Sequence, residues 1–206
     1  MLSDDAFVRL FQERAGLEVD GWAGADTLAA LDRLLPPAPP APDLTGAIPD
    51  DYWPMLSKIE SNDRPYVQAS TSSASGLYQF IKSTWEGEGG SWGPTLRPAF
   101  GGLRPTPGEQ LMRVKTFTAK NAEHLRKAGV PINKASLYAA HFLGRVTAAI
   151  VIAADVDADA AALAGPAATR ANKSIFMRQQ PDKSWRNATV GEFLTWLHKK
   201  TGEWAR

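Results

Sequence analysis

The stretch IESNDRPYVQASTSSASGLYQFIKSTW, residues 59–85, combines one acidic side chain with a loop of small residues. Glu60 ends the segment YWPMLSKIE, whose apolar residues recur at helical spacing. After the loop, LYQFIKSTW predicts a second helix, from about residue 76 to residue 85, that carries Gln79. A lone carboxylate that faces hydroxyls and backbone amides is suited to protonating a glycosidic oxygen. The stretch therefore predicts an acid–base site positioned by helices.

Length and composition set outer bounds on the protein. With 206 residues, 44% of them hydrophobic and 22% charged, the chain can form one core and a small accessory module. The absence of cysteine excludes disulfides and thiolate chemistry. Residues 1–50 have a net charge of −6 and residues 51–206 a net charge of +7. The basic larger part favours an anionic polymer such as cell wall or nucleic acid, although basic domains are also common.

Residues 1–35 predict two short helices. Ser3 is a typical N-cap for a helix over residues 3–15, and Gly16 can end that helix in the left-handed conformation. Asp20-Gly21 is a turn signal, and a second helix, ADTLAALDRLL, follows Gly24. Its apolar face includes Leu28, Leu31 and Leu35. Two helices of this size bury little apolar surface, so we expect this unit to be marginally stable on its own.

Prolines separate this unit from the rest of the chain. Residues 36–50 contain PPAPPAPDL and predict an extended linker to a larger domain, residues 51–206. The Gly- and Pro-rich residues 86–109 predict a long surface loop, and residues 109–129 a long amphipathic helix.

Further along, KASLYAAHFLGRVTAAIVIAADV, which starts at Lys134, predicts one central helix that is apolar on most sides. Gly165-Pro166 predicts a break, and Thr189 with Glu192 predicts a capping box. No long run alternates with period two, so the predicted fold class is all-α.

Several motifs resemble those of the soluble lytic transglycosylase and goose-type lysozyme superfamily, particularly its phage-type members. In that family Glu-Ser is followed, after about eight residues, by Ser-x-x-Gly-Ala-x-Gly-Leu-x-Gln. The matching residues here are Glu60-Ser61, Ser70, Ser73-Ala74-Ser75-Gly76-Leu77 and Gln79. Ser73 stands where the family usually has Gly, and the gap is one residue longer. A third family motif, Ala-Tyr-Asn-x-Gly, aligns best with residues 140–144, which places His141 where Tyr is usual.

This resemblance implies a lysozyme-like helical domain in which Glu60 is the catalytic acid. Glu60 would protonate the oxygen between N-acetylmuramic acid and N-acetylglucosamine, and would then take the proton of the C6 hydroxyl to leave a 1,6-anhydromuramyl end. Substrate-binding roles are expected for Ser61, Ser70, Ser73, Tyr78, Gln79, Tyr138 and His141. His141 is alternatively a core histidine. Phe80 and Trp85 are more typical of core packing than of a cleft wall.

Residues 8–31, VRLFQERAGLEVDGWAGADTLAAL, resemble the peptidoglycan-binding module of cell-wall hydrolases. The residues that carry this second resemblance, and the expected wall-binding role, are Gln12, Asp20, Gly21, Gly24 and Thr27. Family members usually have another helix upstream. Two interpretations therefore remain: a glycan-binding module, or a remnant that only packs on the larger domain.

Two other functions compete with a lytic transglycosylase. A hydrolytic muramidase on the same fold needs a placed water and usually a second carboxylate, which Glu86 or Glu88 would have to supply. Both are also typical of solvated loop residues. The alternative from another class is a non-catalytic wall-binding or virion structural protein.

The remaining expectations concern partners and location. We expect glycan strands as the partner, a monomer, no cofactor, no metal, no nucleic acid and no stable membrane insertion. The first 16 residues lack the basic and apolar regions of a signal peptide, and the apolar run over residues 148–156 is too short to span a bilayer. We therefore expect synthesis in the cytoplasm, followed by holin-dependent release to the cell wall or delivery within a virion.

Overall fold

The computed structural model describes residues 3–34 and 48–206, which are helical apart from one two-stranded sheet. The chain divides into two compact units, Met1–Pro42 and Asp43–Arg206. The predicted all-α class is confirmed at this level of detail. Most of the predicted linker, residues 36–50, lies outside the described residues, as does Leu35 of the predicted second helix. No helix within the described ranges is long and apolar enough to cross a membrane.

The first unit contains α1 (Asp4–Ala15) and α2 (Ala25–Leu34). The predicted N-cap is confirmed, because Ser3 Oγ accepts a hydrogen bond from the Ala6 amide at 3.3 Å. Gly16 ends α1 with a φ of 69°, a left-handed conformation that glycine adopts without strain. Several large apolar side chains of these helices stay exposed, including those of Phe7, Leu10 and Leu28.

The second unit contains nine described α-helices, a 3-10 turn over Ala99–Gly102 and one hairpin. Strands β1 (Met177–Gln179) and β2 (Trp185–Asn187) pair in antiparallel fashion. In chain order, the helices are α3 (Tyr52–Ser61), α4 (Lys82–Gly87), α5 (Pro107–Lys127), α6 (Lys134–Leu143), α7 (Arg145–Ala153), α8 (Ala160–Ala164), α9 (Pro166–Ala171), α10 (Lys173–Phe176) and α11 (Val190–Thr201).

The core of this unit lies where α5, α6, α7 and α11 pack together. Burying the apolar faces of four adjoining helices removes most of their hydrophobic surface from water, which is the main stabilising contribution. Fully buried residues of this core include Val114, Leu125, Leu137, Val151, Phe193 and Leu197.

The prediction of one central helix starting at Lys134 is wrong. The helix breaks at Gly144, whose φ of 79° and ψ of 147° separate α6 from α7. Gly144 can adopt this conformation because it has no Cβ. Val146 and Ile150 on α7 are exposed, so the apolar character of this stretch does not reflect burial on all sides.

Residues 88–106, between α4 and α5, are irregular apart from the 3-10 turn and mostly exposed, as predicted, but the loop is anchored in the core. Phe100 is fully buried, and its ring centroid lies 4.8 Å from that of Trp85 and 5.8 Å from that of Trp92. Stacking among these rings folds the glycine-rich segment back onto the core. Trp85 is also fully buried, which confirms the expectation that it packs in the core.

The predicted capping box at the last helix is confirmed. Thr189 Oγ1 accepts from the Glu192 amide at 3.3 Å, and a Glu192 carboxylate oxygen accepts from the Thr189 amide at 2.9 Å. Arg186 holds the same carboxylate at 2.7 Å, which lowers the pKa of Glu192 to about 2. The start of α11 is thus fixed by three groups.

We expect Thr189→Ala to lower the free energy of unfolding of the chain by about 1 kcal/mol, because α11 loses its side-chain cap. Chemical denaturation followed by circular dichroism measures this loss. Thr195→Ala, an exposed change within the same helix, is the control and should alter the free energy of unfolding by less than about 0.5 kcal/mol. Equal effects of the two substitutions would contradict the capping role.

Candidate active site

A cleft of ≈ 700 Å³ opens in the second unit. Its apolar walls come from Phe80, Ile81, Phe117, Phe142, Leu143 and Val146, and its polar side chains from Glu60, Gln79, Thr84, Asn121, His141, Arg145 and Thr147. Among the described residues that line it, Glu60 is the only carboxylate. An apolar cleft with a few converging polar groups is the usual form of a small-molecule binding site.

Helix α3 aims Glu60 toward this cleft. Tyr52 and Leu56 are fully buried, and Glu60 continues their row at four-residue spacing, so it occupies the inward face of the last turn. Asn62 and Asp63 then adopt left-handed conformations, with φ of 53° and 60°, which end the helix immediately after the carboxylate. The side chain of Glu60 is half-buried as a result.

The charge of Glu60 affects the pKa values of two buried tyrosines, Tyr52 and Tyr138. Burial raises the pKa of Tyr52, and the carboxylate of Glu60 raises it further. The same two causes, in the same order, raise the pKa of Tyr138. Neither tyrosine is among the residues that line the cleft, and both are buried in the core. Tyr138 was predicted to bind substrate; it is 4% exposed and is not among the residues that line the cleft.

His141 lies in the cleft wall with one ring nitrogen committed to the fold. Its Nε2 donates to the Tyr78 carbonyl at 3.0 Å, and its ring packs edge-on against Phe80 and Phe117. Because a carbonyl can only accept, Nε2 carries the proton, and Nδ1 of the neutral ring is an acceptor. This Nδ1 is buried without a hydrogen-bond partner.

Burial lowers the pKa of His141, although the nearby Glu60 carboxylate and the Tyr78 carbonyl act in the opposite direction. The ring is therefore neutral at physiological pH. His141 is thus a neutral ring with an acceptor at Nδ1, and it shares the cleft with a single carboxylate, Glu60. It lines the cleft and also packs in the core, so it has features of both the substrate-binding residue and the core histidine that the sequence allowed.

Gln79 reaches the cleft from a tight turn rather than from the predicted helix over residues 76–85. Ser75 and Phe80 form an antiparallel bridge, Gln79 has a φ of 48°, and α4 begins only at Lys82. The turn forms because Gln110 Oε1 accepts from the Leu77 amide at 2.8 Å, which removes that amide from any helical pattern. Gln79 Nε2 donates to the Gly76 carbonyl at 3.0 Å.

Gly76 is required by this turn. Its φ is 78°, and a Cβ at this position would lie 2.3 Å from Gln110 Oε1 and 2.5 Å from the Phe100 ring. Any side chain here would displace the buried glutamine that holds Gln79 in place.

The other predicted substrate-binding residues lie outside the lining of the cleft. Ser61 is buried and donates to the Ser57 carbonyl at 3.1 Å. Ser70 is exposed, and its carbonyl accepts from the guanidinium of Arg97. Ser73 Oγ accepts from the Lys82 amide at 3.0 Å and so caps the start of α4. Tyr78 contributes only its backbone carbonyl, because its side chain is buried.

The two carboxylates considered for a hydrolytic mechanism also lie outside the cleft lining. Both oxygens of Glu88 accept from Lys120 Nζ, at 2.8 and 2.9 Å, and its side chain is nearly buried. Glu86 is exposed on α4, and its Oε1 lies 3.9 Å from Lys82 Nζ. Both carboxylates therefore have local electrostatic partners.

In the first unit, the predicted wall-binding residues form an internal network. Gln12 is only 2% exposed, and its Nε2 donates to Asp20 Oδ1 at 2.6 Å and to Thr27 Oγ1 at 3.1 Å. Its Oε1 accepts from the Gly21 amide at 2.8 Å. Hydrogen bonds from the Trp22 amide and from Gln12 also lower the pKa of Asp20. These residues hold the loop between α1 and α2, and Gly24 lies in the same loop.

Sequence reasoning missed Asn121 and Arg145, which both line the cleft. Asn121 carried a usable signal, because it stands between Phe117 and Leu125 at four-residue spacing, on the apolar stripe of α5. A polar residue in that position is an exception to the helical pattern. Arg145 carried no local signal, since its placement depends on how α7 packs against α5.

No family model and no curated protein matches the sequence. The described residues also contain no group of three or more His, Asp or Glu side chains arranged to hold a metal ion.

The depressed pKa of His141 predicts a pH effect on stability. The folded protein binds this proton less tightly than the unfolded chain does, so the free energy of unfolding falls as the pH drops below the ordinary histidine pKa of about 6.5. The loss stops once the pH passes below the folded-state pKa. We therefore expect wild-type protein to lose more stability between about pH 7.5 and about pH 5 than His141→Gln, whose amide can still donate to Tyr78.

Denaturant titrations of both proteins at several pH values test this expectation. The other histidines, His124 and His198, are common to both proteins and cancel in the comparison. Parallel pH profiles for the two proteins would contradict the assignment of a buried neutral ring to His141.

Proposed function

We propose that this protein degrades peptidoglycan by cleaving the β-1,4 bond between N-acetylmuramic acid and N-acetylglucosamine. We propose further that it does so as a lytic transglycosylase with a lysozyme-like fold, in the manner of phage endolysins. The observation that carries the proposal is Glu60, the single carboxylate in the described lining of an apolar-walled cleft. The motif around Glu60, Gly76 and Gln79 supports the same assignment through its resemblance to that superfamily.

In the first step Glu60 donates its proton to the glycosidic oxygen. The bond between C1 of the muramyl sugar and that oxygen breaks, and the electron pair leaves with the oxygen. The positive charge that develops at C1 is stabilised by the substrate's own 2-acetamido oxygen. The C-terminal end of α3 suits an acid in this role, because the helix dipole does not stabilise an anion there.

In the second step the carboxylate of Glu60 acts as the base. The C6 hydroxyl of the same sugar attacks C1 and gives its proton to Glu60, which regenerates the acid and consumes no water. Neutral His141 offers its Nδ1 as an acceptor for a sugar hydroxyl, since its Nε2 proton is held by Tyr78. Tyr52 and Tyr138 lie close enough to Glu60 that its carboxylate, after burial, raises the pKa of both.

The distribution of carboxylates favours this reaction over hydrolysis. Hydrolytic glycosidases usually pair two carboxyl groups, roughly 5–5.5 Å apart in retaining enzymes and roughly 6.5–9.5 Å apart in inverting ones. Here Glu86 and Glu88 lie outside the lining of the cleft, and Glu88 is held by Lys120. A single group that works first as acid and then as base requires no second carboxylate.

For the first unit we propose attachment to the cell wall through exposed side chains. The network around Gln12 is buried, whereas Trp22 in the same loop is 75% exposed. An indole ring can stack on the apolar face of a sugar ring. The five residues named from the sequence would then shape the loop, and Trp22 would make the contact.

The catalytic assignment predicts that Glu60→Gln lowers the rate of wall clearing by about 10²–10⁴-fold, since the amide cannot donate or take the proton. Turbidity of a cell-wall suspension measures the rate, and sedimentation with sacculi measures binding, which should be retained. Glu86→Gln, at an exposed position of α4, is the matched control and should keep full activity. Undiminished clearing by the Glu60 variant would rule out this function for the cleft.

The reaction type predicts the product. Mass spectrometry of digested wall should find 1,6-anhydromuramyl ends, each one water lighter than a reducing end. A digest that contains reducing ends alone would reject transglycosylation and indicate a hydrolytic muramidase.

A further inference from the structure

The N-terminal end of α7 opens into the cleft. Residues Gly144, Arg145, Val146 and Thr147 all line it, and the N-cap position, Gly144, has no side chain to cap the helix. The first backbone amides of a helix have no partner within the helix and point at whatever lies beyond its end. α7 is nine residues long, so these amides also carry a helix dipole that favours an anion.

A second donor without a partner lies in the same cleft. Asn121 on α5 is 1% exposed, and its Nδ2 makes no hydrogen bond within the described structure. A buried donor left without an acceptor costs roughly 1–3 kcal/mol, so such groups normally meet a ligand or water. Asn121 therefore points to an acceptor on the molecule that fills the cleft.

Arg145 adds a full positive charge to this end of the cleft. Its side chain is exposed and also borders an adjoining pocket of ≈ 260 Å³, with Lys120, Glu123, His124 and Lys127. The two lysines are paired, Lys120 with Glu88 at 2.8 Å and Lys127 with Glu123 at 2.5 Å. Arg145 forms no ion pair within 4 Å of any described carboxylate; Glu123, whose pKa is lowered mainly by Lys127 and also by the charge of Arg145, is the nearby acidic group.

We propose that Arg145, Asn121 and the first amides of α7 form a carboxylate-binding subsite. This inference rests on the proposed function and deepens it, because the muramyl sugar differs from N-acetylglucosamine in its lactyl group. The lactyl carboxyl is either free or amide-linked to a peptide stem that carries carboxylates of its own. The Arg145 guanidinium, the Asn121 Nδ2 and the α7 amides are all donors, and a guanidinium with adjacent amides suits a carboxylate. The subsite thus distinguishes muramyl sugars from a neutral chitin-type chain.

Binding can be measured without turnover in full-length Glu60→Gln protein. The calorimetric probes are a glycan fragment with its peptide stem, the same glycan stripped of stems by an amidase, chitotetraose, and the free stem peptide. We expect Arg145→Gln to weaken binding of the stem-bearing fragment about tenfold and to leave chitotetraose unchanged. Arg170→Gln, at an exposed position of α9, is the control and should have no effect.

The source of the carboxylate follows from the stripped glycan. An Arg145-dependent loss confined to the stem-bearing fragment assigns the carboxylate to the stem, because the lactyl carboxyl of that fragment is an amide. An additional Arg145-dependent loss in the stripped glycan, whose lactyl carboxylate the amidase has freed, shows that the subsite also accepts the lactyl group. The proposal is overturned if Arg145→Gln binds the stem-bearing fragment as tightly as its parent does. It is also overturned if the substitution weakens the binding of chitotetraose as much as that of the stem-bearing fragment. If only the free peptide binds, and needs Arg145, the subsite stands while the proposed function fails; if no probe binds, both fail.

Discussion

The cleft depends on one buried side chain, Gln110. Its Oε1 accepts from the Leu77 amide at 2.8 Å, while its Nε2 donates to the Pro65 carbonyl at 3.1 Å and the Pro105 carbonyl at 3.0 Å. These three bonds tie both ends of an irregular segment to the start of α5. Irregular backbone is stable in a core only when its amides and carbonyls find partners, and Gln110 supplies several at once. Gln79 can then reach the cleft from a conformation that a helix would not allow.

The first unit uses the same device. Gln12 makes four hydrogen bonds, three of them to Asp20, Gly21 and Trp22 in the loop between α1 and α2 and one to Thr27 in α2. A chain without cysteine cannot fix such loops with disulfides, and these two helices bury little apolar surface. A buried amide with every donor and acceptor satisfied gives comparable local order, because any displaced loop would leave it unpaired.

Local signals in the sequence were sufficient where structure is decided locally. Ser3, Gly16 and the capping box of Thr189 with Glu192 all fix helix ends through neighbours a few residues away. Signals failed where distant residues decide. The local sequence around Gln79 predicts a helix. Gln110, 31 residues further along the chain, accepts a hydrogen bond from the Leu77 amide and so prevents that helix. The break at Gly144 and the position of Arg145 likewise depend on the packing of α7 against α5 and α6. Glu60 and His141 were identified by resemblance to a family motif, whereas only tertiary structure brings Asn121 to the same cleft.

Unpaired polar atoms concentrate around Glu60. Among the described residues six buried side-chain atoms lack a hydrogen-bond partner, and four of them belong to Tyr52, Thr118, Asn121 and His141. After burial, the charge of Glu60 is the next influence on the pKa values of Tyr52 and His141. Thr118 adjoins Tyr52, and Asn121 lines the cleft. A core selected for stability alone would replace these groups with apolar ones, since each unpaired group destabilises the folded state. Of these four residues, Asn121 and His141 line the cleft, so a ligand or ordered water there can complete their bonds, and the free energy lost on folding is then recovered on binding.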